Sequence, residues 1–237
     1  MASTHIVQQG EFLSRIAKQY GFASHTTVWE HEQNKALREK RGNPNILLSG
    51  DEVFIPDKEK KEVEITTEQL SKFQLKRDKL KLRLLVESVY HGPLSDVEYE
   101  VKVDGKKQKV EAKDGGTIEM SIPVDASDAE LTIKDAGVEA DAIVFPIKIG
   151  HLDPVTEQSG QIARLNNLGY FARPLDDDSD TTDDSALTEE EKVRREDRKR
   201  MFLSAVEEFQ CDQGLKVDGI CGPKTQKKLS EIHDGDA

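Results

Sequence analysis

At 237 residues, with 34 lysines and arginines against 46 aspartates and glutamates, the chain carries a formal net charge of −12 and is only 35% hydrophobic. That balance excludes one large core and fits small modules joined by linkers; it also excludes a nucleic-acid partner, which requires a concentrated basic face. No run of about 18 apolar residues occurs, so membrane insertion is not expected, and the opening MASTHIVQQGEF has no basic-then-apolar export pattern, which predicts a chain that is cytoplasmic before any secretion.

Residues 1–57 read as one module. HIVQQ is a short extended stretch, Gly10 and Glu11 make a turn, and Leu13, Ile16, Ala17 and Tyr20 recur at helical spacing until Gly21. A second helix, capped by Thr26 or Thr27 and carrying Val28, Trp29, His31 and Leu37, is expected to run to Arg41 and Gly42. NPNILLSGDEVFIP then supplies a turn, a short apolar segment, a turn at Gly50 and Asp51, and a strand over 52–55 closed by Pro56. Trp29 is expected in the core of this module in preference to a sugar-stacking role.

The strand, helix, helix, strand order resembles a LysM module, a small carbohydrate-binding unit of cell-wall proteins. HIVQQGEFLSRIAKQYG matches its opening strand, turn and first helix, and NPNILLSGDEVFIP its closing Asn-Pro, Leu, Gly-Asp and Ile-Pro positions. Glu11 and Phe12 stand where the family usually has Asp and Thr, and KALREKRG lengthens the stretch before Asn43. These departures fall at the turn that faces glycan in ordinary members. The resemblance implies ligand or partner contact at Gly10, Glu11, Phe12, Asn45, Ile46, Leu47 and Leu48.

Residues 58–72 begin with a mixed charge run and read as a linker. From 73 to 150 the period changes to two. Phe73 and Leu75, then Leu80, Leu82 and Leu84, alternate with polar residues, Asp104-Gly105 separates two alternating runs as in a hairpin, and Pro146 suits its strand to a sheet edge. About seven short strands predict an immunoglobulin-like or transthyretin-like β-sandwich, which by itself identifies no function.

Residues 151–237 supply a helix carrying Ile162, Leu165 and Leu168, an acidic insert over 176–191, and a second helix opened by a Thr188/Glu191 capping box. Phe202, Val206 and Phe209 line one face of that second helix, and a third helix begins at Pro223. Between the last two, FQCDQGLKVDGICGPKT places Gly214 and Gly219 at positions suited to positive φ and Asp218 in an Asx-type turn, with Leu215, Val217 and Ile220 expected to pack beneath. Cys211 and Cys221 would close a small loop in an oxidising compartment; without an export pattern they are expected as buried free thiols.

SGQIARLNNLGYF, SAVEEFQCDQGLKVDG and ICGPKTQKKL resemble the three-helix peptidoglycan-binding domain attached to many cell-wall hydrolases; the usual Asp-Gly-x-Phe-Gly loop is replaced by the acidic insert. The resemblance implies contacts at Gly169, Tyr170, Asp218 and Gly219. The fold class is thus multidomain α+β: a βααβ module, a β-sandwich and a small helical bundle.

Chemistry is sparse. No HExxH pair, no close Cys/His ligand spacing and no G-x-S-x-G elbow occurs, so no metal, no cofactor and no catalytic residue is expected. Two wall-type modules flanking a sandwich resemble the LysM-containing proteins encoded with type VI secretion and related contractile injection systems. That likeness implies a non-catalytic adaptor joining secretion spike and effector, with peptidoglycan as a further contact and delivery to the periplasm or target cell. The alternative is a peptidoglycan-binding protein that tethers a partner hydrolase.

Overall fold

The computed structural model describes residues 2–58, 62, 64–70, 72, 79–88, 92–93, 97–113, 116–134, 142–174 and 188–235. The strand expected at Phe73 and Leu75, His91 and the Asp-rich run 176–184 lie outside them. The chain divides into two compact units, Met1–His151 and Leu152–Ala237.

In the first unit, β1 (Ser3–Ile6) pairs antiparallel with β2 (Glu52–Ile55), Ser3 opposite Ile55. Three short helices lie between them: α1 (Leu13–Gln19), α2 (Thr26–Trp29) and α3 (Lys35–Arg41). Val7, Leu13, Ile16, Val28, Trp29, Leu37, Leu47, Val53 and Ile55 form their common core, so Trp29 is a core residue. α1 stops at Gly21, whose φ of +76° lets Phe22 N–H reach Ala17 O while its own N–H bonds Lys18 O, a Schellman turn.

The expected single second helix is instead broken after Trp29. His31 is extended and opens a 3₁₀ turn (Glu32–Asn34), its ring nitrogen Nδ1 accepting from Gln33 N–H. The buried Asn34 explains the break. Its amide donates to Val28 O (2.7 Å) and Phe54 O (2.8 Å) and accepts from Phe54 N–H (2.8 Å), joining the helix end to β2. Arg38 donates to Trp29 O and His31 O, so the carbonyls released by the break are satisfied. Neither Thr26 nor Thr27 caps α2; His25 holds the cap position but makes no side-chain capping bond, and Ser24 Oγ accepts from Thr26 N–H one step outside.

The strands described in the rest of this unit pair antiparallel. β3 (Leu80–Leu85) pairs with β8 (Thr117–Ile122), β4 (Glu87–Ser88) with β5 (Gly92–Pro93), and a four-stranded sheet runs in the order β10 (Ala142–Lys148), β9 (Asp128–Lys134), β6 (Glu98–Val103), β7 (Lys106–Val110). β6 and β7 meet at Asp104-Gly105, both at positive φ, as the hairpin signal requires. Pro146 lies on an edge strand. Tyr99, Val101, Ile118, Leu131 and Ile133 form a core between sheet and ribbon, with Leu80, Leu82 and Leu84 packed against it.

The second unit contains α4 (Gln158–Asn167), α5 (Glu189–Asp212) and α6 (Pro223–His233) around Ile162, Leu165, Ala205, Val206, Phe209 and Leu229. α5 opens with the full Thr188/Glu191 capping box and α6 with Pro223 in its first turn. Arg164 is fully buried and tied to Asp234 (Nη2–Oδ2 2.9 Å), Asp153 O and Gly160 O. Only glycine fits at 160, because a Cβ there would lie 2.2 Å from Pro154 O.

Two expectations for the α5–α6 loop are corrected. Val217 and Ile220 do not pack beneath it but stand 52% and 66% exposed, and Cys211 is exposed; Leu215 and Cys221 are half-buried. The loop is held from inside by a polar side chain, described next, which leaves its aliphatic tips outward.

Candidate functional site

The residues implied at the first module fall into two neighbouring loops. In the first, Glu11 Oε2 accepts from Gln8 N–H (2.9 Å) and contacts His5 Nε2 (2.8 Å), whose other ring nitrogen meets Tyr20 Oη at 3.2 Å. Glu11 therefore serves the turn that precedes α1. Gly10 and Phe12 are buried, and the covering comes from this same unit. A Cβ on Gly10 would lie 2.7 Å from His151 Nε2, and one on Gly150 would lie 2.5 Å from Phe12 Cδ1. Arg15, its guanidinium 5.0 Å from the Phe12 ring centre, donates to Gly10 O (3.0 Å) and to Ala126 O (2.7 Å), while Lys18 pairs with Asp125 at 2.7 Å. The opening turn is thus an internal joint with the β region.

The second loop carries Asn45, Ile46, Leu47 and Leu48. Asn45 is exposed, Ile46 and Leu48 are half-buried, and Leu47 belongs to the core. Asn43 Oδ1 accepts from Asn45 N–H, and Pro44 O accepts from Leu13 N–H, which ties the loop to α1. Its far end is fixed by Asp51. Buried Arg41 grips that carboxylate through two bonds of 2.7 and 2.8 Å, Lys40 adds a third at 3.2 Å, and Asp51 Oδ2 accepts from Leu48 N–H. Burial pushes the Asp51 carboxyl up, but the Arg41, Leu48 and Lys40 bonds outweigh it and hold the group below the ordinary carboxylate range.

In the second unit the organising residue is Gln210, 1% exposed on α5. Its Nε2 donates to Asp218 Oδ1 (3.1 Å), Ile220 O (3.0 Å) and Thr225 Oγ1 (3.0 Å), and its Oε1 accepts from Asp218 N–H (2.9 Å) and Gly219 N–H (3.0 Å). Asp218 Oδ1 also accepts from Ile220 N–H, the expected Asx-type bond. Backbone and Gln210 hydrogen bonds keep the Asp218 carboxyl low. Gly219, at φ +67°, lies so close to α5 that a Cβ would approach Leu203 Cδ1 to 2.8 Å. The implied contacts Asp218 and Gly219 therefore build the loop, and its outward surface is made by Leu203, Val217 and Ile220.

Gly169 and Tyr170 lie at the end of α4. Gly169, at φ +92°, permits a Schellman turn in which Tyr170 N–H bonds Leu165 O. The Tyr170 ring packs edge-on against Phe209 with centroids 5.5 Å apart, and its hydroxyl donates to Asp212 Oδ2 at 2.9 Å. Burial and the Asp212 carboxylate push that phenol up to about 12. Phe171, the next residue, is exposed and was not singled out by sequence.

His233 uses Nε2 toward Asn167 and Nδ1 toward Asp234, so neither ring nitrogen is turned to a thiol, and burial raises the Cys221 thiol to about 11. Among the described residues, no group of three or more His, Cys, Asp or Glu is placed to hold a metal ion, and no helix is long and apolar enough to cross a membrane.

Sequence reasoning named the glycines and Asp218 of the last loop without Gln210, although the Phe-Gln pair eight residues before Asp-Gly is the available signal. Nothing local signals Arg164, whose partner lies 70 positions away.

Residues 200–229, from the middle of α5 to the second turn of α6, match the family described as "Putative peptidoglycan binding domain". The matched segment holds the Gln210 loop entire. No curated protein and no solved structure matches the chain.

Proposed function

We propose that this chain is a non-catalytic peptidoglycan-binding adaptor, its second unit contacting the wall polymer and its first unit carrying a protein partner. The observation that carries the reading is the family match over 200–229, which falls on the loop whose backbone Gln210 fixes and whose Leu203, Val217 and Ile220 face outward. In this reading the partner is a spike or effector of a type VI secretion or related contractile injection system, and the protein reaches the periplasm or target cell with it. The covered Gly10–Phe12 turn supports a protein-holding role for the first unit, because the turn implied to face sugar is occupied by Gly150, His151 and Arg15. The family match, which bears on peptidoglycan contact alone, also fits a second reading, a wall-bound tether for a hydrolase.

Sedimentation of the full chain with purified sacculi, beside affinity purification from source cells read by mass spectrometry, tests both. Retention with a spike or toxin in the eluate is the expected result. Retention with a wall hydrolase selects the tether, and a chain that does not sediment with sacculi refutes peptidoglycan binding.

A further inference from the structure

In the first unit, α1 and the loop that follows it face the turn between β8 and β9 across a cavity of about 380 Å³, at the small end of the range of about 300–1,000 Å³ usual for small-molecule sites. Ala17, Phe22 and Val124 supply apolar lining. The turn is closed by Ala126 N–H bonding Pro123 O at 3.1 Å, and Arg15 of α1 donates to Ala126 O, so the two walls are fastened to each other.

Each wall also brings one charge to the cavity. Lys18, from α1, meets Asp125, from the turn, at 2.7 Å, and both line the space. The Lys18 bond, followed by the backbone of the turn itself, holds the Asp125 carboxyl below its ordinary range, so the pair is charged at neutral pH. The two side chains are 40% and 60% exposed. A pair so open to water contributes little to stability and is readily exchanged for other partners. Ser14 lines the same cavity and is buried, yet its hydroxyl reaches Asn45 Oδ1 only at 3.5 Å, the outer limit for such a bond. A hydroxyl both donates and accepts, so a ligand group placed nearer would satisfy it better.

We propose that this cavity binds a free α-amino acid with an aliphatic side chain, a small-ligand site that goes beyond the wall and partner contacts. The ligand's carboxylate pairs with Lys18 and its ammonium with Asp125, while its side chain lies against Ala17, Phe22 and Val124. The local charges select this class. A ligand with one charge takes Lys18 or Asp125 and leaves the other without its partner. A long dipole needs the two side chains drawn far apart. The ammonium and carboxylate of an α-amino acid flank a single carbon, and so fit a pair that is already in contact.

The test is an amide chemical-shift titration of the isotopically labelled full-length protein with racemic leucine. Isocaproate and isopentylamine, which each keep one of leucine's charges, and ε-aminocaproate, which separates them, are titrated alongside. The expected result is saturable shifts in α1, in the loop after it and in the β8–β9 turn, with leucine at least about tenfold tighter than any of the three analogues. Lys18→Met and Asp125→Asn each weaken leucine at least about fivefold. Exchanging the pair, Lys18→Asp together with Asp125→Lys, returns the affinity to within about twofold of wild type, because a ligand turned end for end meets the same two charges; a merely structural role for the pair would give no such recovery. Absence of saturable shifts, shifts confined to other parts of the chain, an analogue that binds as tightly as leucine, wild-type affinity in either single variant, or no recovery in a folded exchanged pair each overturns the proposal. Sacculi retention is unaffected in all of these variants, so failure at this cavity is distinct from failure of wall binding.

Discussion

Replacing Gln210 with alanine tests whether one buried amide holds the family-matched loop. The substitution removes five hydrogen bonds. Asp218 and Ile220 are exposed residues that can turn to water, whereas Gly219 and Thr225 are buried. Leaving a buried polar group unpaired costs about 1–3 kcal/mol; Gly219 N–H loses its partner outright while Thr225 Oγ1 keeps a 3.5 Å bond to Ile220 O, so the loss is about 2–3 kcal/mol. With a urea dependence of about 1 kcal/mol per molar for a unit of this size, the midpoint of the second unit falls by about 2–3 M. The chain supplies its own separation of signals. Its single tryptophan, Trp29, lies in the first unit, while α5 and α6 dominate the far-UV signal of the second. Urea titrations of Gln210→Ala should shift the far-UV transition and leave the Trp29 fluorescence transition in place. An unshifted far-UV midpoint would refute the reasoning, and so would equal shifts in both signals.

Glycine substitutions at 150 and 169 should separate backbone strain from crowding: both have positive φ, but only Gly150 meets neighbours where a Cβ would stand. Gly169→Ala is expected to cost about 1 kcal/mol and Gly150→Ala at least about 2 kcal/mol more in thermal melts of the unit concerned; equal costs would count against the joint at Phe12. Asp51→Asn, which removes the carboxylate that Arg41 and Lys40 grip, should cost about 3 kcal/mol, read by Trp29 fluorescence. Because the folded Asp51 carboxyl is held below its unfolded range, its contribution is present above that range and fades as pH falls through the folded value. The wild-type advantage over Asp51→Asn should therefore shrink in acid, and an advantage growing in acid would contradict the sign. Thiol titration near pH 8 should modify exposed Cys211 quickly and Cys221, raised to about 11 by burial, only slowly; two equally fast thiols would contradict that placement.

The elements legible in the sequence are those whose signal is local. The Thr188/Glu191 box, Pro223 opening α6, the Asp104-Gly105 hairpin and Pro146 at a sheet edge are each set by a few neighbouring residues acting on their own backbone. The break after Trp29 was not legible, because Asn34 stabilises it by bonding Phe54, 20 positions further on. Val217 and Ile220 looked like core by composition, yet the loop interior is filled by Gln210, and apolar residues in a polar-cored loop have only the outside left.

That inversion bears on how the candidate residues should be weighed. At both modules the residues that carry the resemblance, Gly10, Leu47, Asp51, Gln210, Asp218 and Gly219, are spent on turns, cores and internal hydrogen bonds. They fix where a loop runs and leave its outer face open to variation. A match over such residues therefore speaks first to loop architecture, and the choice of ligand falls to the side chains between them. Leu203, Val217 and Ile220 are aliphatic and bring no hydrogen-bonding groups. Phe171, exposed beside the Tyr170–Asp212 pair, is the aromatic surface of the second unit suited to a sugar ring. Sacculi binding should accordingly fall by about tenfold in Phe171→Ala and survive Ile220→Ser, with both variants unfolding at the wild-type urea midpoint. The reverse order would place the wall contact on the aliphatic loop itself.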